Sequence, residues 1–150
     1  MTFLILLIAC GAAAATGALF PPGAWYDALQ KPWFTPPGWA FPVVWATLYV
    51  LMAAAGARLA HLPGAGLVMA LWAAQIALNT LWTPVFFGAH RMGMGMAVIA
   101  LLWLVVATLS LLALRLDRLA GAMLLPYLLW LSVAAALNFS IWQNNPGAGA

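Results

Sequence analysis

The side chains in this sequence that could do chemistry are aromatic rings and a few amides, and the chemistry they suit is binding. Nine tryptophans occur in 150 residues. Four of them, Trp25, Trp33, Trp39 and Trp45, fall with four prolines inside the 21-residue stretch WYDALQKPWFTPPGWAFPVVW. Trp82, Phe86, Phe87 and Trp130 lie near Pro84 and Pro126. Gln75 and Asn79, at i and i+4, share one helical face; Thr80 and Thr83 follow, and Asn138 sits in a separate apolar run. Two readings of these polar groups stand side by side: interhelical hydrogen bonds, or donors inside a ligand cavity. An interfacial belt accounts for rings such as Trp142 but not for so many between Trp25 and Trp45. Large flat rings beside a few amides suit a large, flat, apolar ligand.

Constellations for bond making are missing. Asp27 and Lys31 are spaced as a local ion pair one helical turn apart, not as a general base and its partner. His61 and His90 fall at predicted helix ends, where capping or solvated roles outweigh metal ligation. The sequence has no Cys-x-x-Cys-His, no His/Glu cluster and no glycine-rich phosphate loop, so no metal site and no required cofactor are expected. Cys10 is the lone cysteine, which excludes an intramolecular disulfide. The surrounding LLIACG is similar to a lipoprotein cleavage box, but without a preceding Lys or Arg it reads as an ordinary first helix. The net charge of +3 comes from few residues with no basic cluster, which argues against nucleic acid as a partner.

The elements that must position these rings follow from the charge map. The chain is 67% hydrophobic and 5% charged, and its charged residues punctuate it at only four places. Each stretch between them is long enough for about 20 helical residues to cross a bilayer core of roughly 30 Å. Apolar character on all faces excludes alternating strands, and in lipid a helix satisfies its own backbone. The expected fold is therefore an all-α, single-domain bundle of five transmembrane helices, at Thr2 to Phe20, Pro42 to Ala60, Gly66 to Phe87, Met92 to Leu114 and Leu119 to Trp142. Pro84 and Pro126 should bend their helices. Arg58, Arg115 and Arg118 against Lys31 and Arg91 lean towards a cytoplasmic N-terminus. Gly66, Ala70 and Ala74 permit close helix approach, either within the bundle or in a homodimer. The long first loop is the one substantial element outside the membrane, and its aromatic content argues for order.

The segments WYDALQKPWFTPPGW, NTLWTPVFFGAHRMG and PYLLWLSVAAALNFSIW resemble the translocator protein family, also called tryptophan-rich sensory protein or peripheral-type benzodiazepine receptor. The match runs in order over nearly the whole chain. It implies a first loop folded as a lid over a pocket, and as ligands protoporphyrin IX, haem, sterols or other lipids, and benzodiazepine-site drugs. By motif, Trp45 and Asn79 match drug-contacting residues, with Trp82, Phe86, Phe87, Ala97, Leu101 and Ser132 lining the same cavity. Trp33, Trp39, Tyr49, Trp130, Leu137 and Asn138 complete the ligand-binding set. Trp25 and Trp130 match tryptophans linked in bacterial relatives to light-dependent porphyrin breakdown, and are the catalytic candidates if that chemistry holds. The sequence departs from the animal pattern: the sterol motif's Tyr and Lys or Arg are replaced within LNFSIWQNN, Ser132 stands for an alanine and Met94 for a tryptophan. The missing sterol motif suggests weak sterol recognition and, with the missing animal-type basic tail, a bacterial membrane protein, while Ser132 and Met94 suggest reduced drug affinity. The resemblance thus implies a porphyrin-binding membrane sensor or carrier, with a light-dependent porphyrin-degrading enzyme and a porphyrin transporter as alternatives.

Overall fold

A computed structural model describes residues 1–149. Six α-helices follow one another: α1 (Thr2–Leu19), α2 (Gly23–Ala28), α3 (Ala40–Leu59), α4 (Gly66–Thr83), α5 (Met92–Leu116) and α6 (Arg118–Asn144). A π-helical turn, Pro84–Gly88, extends α4. Five of these helices are long and apolar enough to cross a membrane: α1, α3, α4 with its π turn, α5 and α6. The expected bundle is present, with its spans shifted by a few residues. The short α2 lies within the first loop, which otherwise runs irregularly to Trp39.

Proline and glycine place the breaks. Pro21 and Pro22 follow α1, and Gly23 opens α2 with a φ of 61°, a left-handed conformation that favours glycine. Pro84 acts as expected of an intrahelical proline: the ladder widens, and Ala89 N–H reaches Pro84 O at 2.8 Å. At Pro126 α6 continues without a break to Asn144.

The bundle is tightly packed at the end where α1 begins. Gly56 of α3 leaves room for the Trp72 ring of α4, since a Cβ there would lie 2.8 Å from both Trp72 Nε1 and Leu6 Cδ1. Trp72 Nε1 donates to Met52 O at 2.9 Å, so the ring is fixed by packing and by a hydrogen bond across the helix pair. Cys10 and Ala13 form the buried face of α1. Gln75 is fully buried, and neither atom of its amide has a hydrogen-bond partner among the described residues. The small-residue face of α4 is outward: Gly66, Ala70, Ala73 and Ala77 are exposed, whereas Ala74 is half-buried.

At this packed end Asp117 is the sole residue between α5 and α6. Its Oδ1 caps α6, accepting from Leu119 N–H at 2.9 Å and Ala120 N–H at 3.1 Å. Its Oδ2 pairs with Arg58 Nη2 of α3 at 2.7 Å. The backbone bond from Ala120 and the Arg58 partnership hold the carboxyl below its ordinary value of 3.8. A carboxyl whose pKa is lowered by folding stabilises above its unfolded pKa and loses that contribution as pH falls through the folded value. The melting midpoint of the wild-type protein in detergent is therefore expected to drop as pH is taken below about 4. Asp117→Asn should melt lower at pH 7 and lose part of this acid sensitivity, which parallel pH–melting curves would read.

Candidate functional site

At the opposite end the helices enclose a cavity of about 790 Å³, walled by α1, α3, α4, α5 and α6 and covered by the first loop. That volume lies within the ordinary range of small-molecule sites. The floor is a buried polar chain. Tyr49 Oη donates to Asn79 Oδ1 at 3.0 Å, and Asn79 Nδ2 donates to Tyr127 Oη at 3.0 Å. The amide of α4 thereby bridges α3 and α6, as the interhelical reading expects, and Asn79 also lines the cavity. Trp45 stacks on Tyr49, centroids 5.4 Å apart at 29°, and meets Tyr127 edge-on at 6.1 Å. The floor thus sets the orientation of the indole above it.

A second amide works the same way nearer the lid. Asn138 Nδ2 donates to Met92 O at 3.0 Å and its Oδ1 accepts from Trp82 Nε1 at 3.2 Å. Trp82 then stacks on Phe86 at 4.9 Å and 16°, and Phe87 stands edge-on to both rings. The π turn at Pro84 carries Phe86 and Phe87 to this wall. Trp130 of α6 faces Phe41 edge-on at 5.7 Å. Its Nε1 is buried and has no hydrogen-bond partner among the described residues. An unpaired buried N–H carries a desolvation penalty.

The lid is tied down along its first half. Gln30 N–H donates to Asn145 Oδ1 at 2.8 Å, and Asn145 Nδ2 returns a bond to Gln30 O at 3.0 Å. Trp25 Nε1 donates to Ala148 O at 3.0 Å while its ring stacks on His90 at 4.1 Å. Tyr26 meets Phe87 edge-on at 5.3 Å, and burial, followed by the charge of Asp27, raises its phenol pKa. The expected Asp27–Lys31 ion pair is not formed. α2 ends at Ala28 and Leu29 is extended, so the two side chains no longer share a helical face. Lys31 Nζ instead donates to Asp27 O at 3.2 Å and Leu29 O at 3.4 Å, 4.6 Å above the Tyr26 ring.

Of the residues singled out from sequence, the cavity gathers Trp45, Tyr49, Asn79, Trp82, Phe86, Phe87, Trp130, Leu137 and Asn138. It does not gather the other ligand-site candidates. Ala97 and Leu101 are exposed on α5, about two residues out of phase with inward-facing Ile99, and at 100° per residue that is the opposite side of the helix. Ser132 lies on the outer seam of α5 and α6, where its Oγ accepts from Trp103 Nε1 at 2.8 Å and donates to Leu128 O at 3.0 Å. Trp25 is one aromatic layer away, edge-on to Phe86 at 5.8 Å. Trp33 and Trp39 point outward and are 96% and 71% exposed. Sequence reasoning missed Phe41, Ile99 and Leu131, which line the cavity, and Tyr127, which is buried behind it and holds Asn79. Tyr127 was within reach: with Leu131, Ala134, Asn138 and Ile141 it repeats at the three- and four-residue spacing of one helix face.

Comparison with known proteins agrees with this architecture. Residues 3–143 match the TspO/MBR family. The chain is 53% identical to protein CrtK of Rhodobacter capsulatus over 97% of its own length and 93% of the relative's. It is 50% identical to the tryptophan-rich sensory protein of Cereibacter sphaeroides, covering 95% and 90% of the two chains. The human translocator protein is 36% identical over 82% of this chain and 76% of its own. With five membrane-crossing helices and a match spanning nearly every residue, the chain is an integral membrane protein and belongs to the TspO/MBR family.

Proposed function

We propose that the protein is a membrane receptor or carrier for porphyrins, protoporphyrin IX or haem, and that it regulates tetrapyrrole levels. The observation that carries this reading is the cavity of about 790 Å³ walled by Trp45, Trp82, Trp130 and Phe86. A flat macrocycle presents two broad faces to such aromatic walls, and its carboxylates suit a cation at the edge. Lys31, which also lines the cavity beneath the lid, adds a cation near the rim. Relatives named sensory and translocator proteins are consistent with a receptor role. The outward small-residue face of α4, Gly66, Ala70, Ala73 and Ala77, suits a homodimer.

Titration of the purified protein with protoporphyrin IX, followed by tryptophan fluorescence, tests the reading; absence of saturable quenching would remove it. Trp130→Phe keeps an aromatic ring near Phe41 but gives up the N–H and part of the indole's surface in the wall. Its porphyrin Kd is expected to rise about tenfold, as aromatic contact area is lost from the wall. Trp130 also suits the alternative, light-dependent breakdown, in which bound porphyrin is the photosensitiser and an indole the oxidisable partner. Illuminating the complex separates the two: bleaching no faster than free porphyrin leaves binding alone.

A further inference from the structure

The second half of the lid differs in kind from the first. Among the described residues, from Pro32 to Trp39 it makes no side-chain hydrogen bond to another element: Thr35 turns back on Pro32 O at 2.7 Å, and Ala40 N–H on Pro37 O at 2.9 Å. Pro32, Pro36 and Pro37 remove three N–H donors from these eight residues. Such a segment loses less on leaving water than an ordinary loop. Its polarity is also inverted for a loop facing water. Lys31 folds inward onto backbone carbonyls and the Tyr26 ring, whereas the indoles of Trp33 and Trp39 are turned out, 96% and 71% exposed. No charged residue occurs from Pro32 to Ala57.

What lies against these indoles follows from continuity. Trp39 is the residue preceding α3, and Val43, Thr47 and Val50 continue its side of the helix at i+4, i+8 and i+11, all exposed. That stripe is the outer, lipid-facing surface of a membrane-crossing helix. At the same end of the bundle, Trp142 of α6 is exposed beside Phe139. All three exposed tryptophans of the described residues, Trp33, Trp39 and Trp142, therefore sit at the lid end, and none at the other. Indoles prefer the boundary between headgroups and acyl chains because they pair an apolar body with an N–H that needs a polar partner.

We infer that the outer face of the Pro32–Trp39 segment lies in the interfacial zone of the bilayer, anchored by Trp33 and Trp39, so that lipid holds the half of the lid that protein does not. The binding cavity needs no ligand for this, and the two readings stand or fall separately. The test uses the full chain in phosphatidylcholine vesicles without porphyrin, with Trp33→Phe and Trp39→Phe as partners for difference spectra. Both positions are exposed, so the exchanges leave packing intact. Each difference spectrum, which isolates one indole, is expected to fall about twofold or more when the acyl chains are brominated near the headgroups, and less when the bromines lie near the chain ends. Aqueous iodide should quench it weakly. Emission untouched by brominated lipid and strongly quenched by iodide would overturn the proposal, placing the rings in water or on a soluble partner. Lipid quenching confined to Trp39 would overturn it for the loop and leave Trp39 as the end of the α3 lipid face.

Discussion

Asn79→Ala is expected to loosen the bundle and weaken porphyrin binding together. The substitution removes the acceptor of Tyr49 Oη and the donor to Tyr127 Oη, both within the floor of the cavity. Interhelical hydrogen bonds in membranes contribute on average about 0.6 kcal/mol each, so losing two and stranding their partners should cost about 1 to 2 kcal/mol. Thermal melting in detergent would read this as a lower midpoint. Binding should weaken about tenfold, because Trp45 rests on Tyr49 and loses its support. The variant Asn79→Leu with Tyr49→Phe and Tyr127→Phe removes every polar partner at once. It should recover stability relative to Asn79→Ala, since deleting all partners avoids leaving one unpaired. A melting midpoint for Asn79→Ala equal to that of the wild type would show that the polar floor does not hold α3, α4 and α6 together.

Gly121→Ala should be the most damaging single-methyl change in the chain. A Cβ at this buried position would lie 2.5 Å from Leu114 Cγ, 2.6 Å from Leu114 N and 2.7 Å from Leu114 Cα. Two of those atoms are backbone, so no rotamer change relieves the overlap. With Asp117 alone linking α5 to α6, the helices have no slack in which to part. Overpacking of this kind typically costs about 1 to 3 kcal/mol. Gly11→Ala is the control: nothing lies within 4 Å of its added Cβ, and alanine is favoured over glycine in a helix by about 1 kcal/mol. The expected order of melting midpoints is Gly11→Ala at or above wild type and Gly121→Ala well below both. Equal midpoints for the two variants would show that the α5–α6 turn is looser than its geometry.

What the sequence determined alone is the material of the fold. Five apolar runs separated by sparse charge leave helices as the only backbone solution in lipid, and Pro84 announces the disturbance that becomes the π turn. The amides of Asn79 and Asn138 point inward because a polar side chain in hydrocarbon must find a partner, which made much of the cavity wall legible. Direction was decided elsewhere. Trp33 and Trp39 read as pocket residues by type and by resemblance, yet they face outward, since nothing in a loop's composition states which side of the chain meets the protein. Ala97, Leu101 and Ser132 lie on the outer surface for a similar reason: the 100° step fixes the relative phase of residues on one helix, while its absolute rotation is set only when neighbouring helices pack. Tyr127 joins Asn79 across 48 positions of sequence, and Asn145 clasps Gln30 across 115. Such contacts exist only after tertiary packing has brought distant backbone to hydrogen-bond range, and it is they that floor the cavity and fasten its lid.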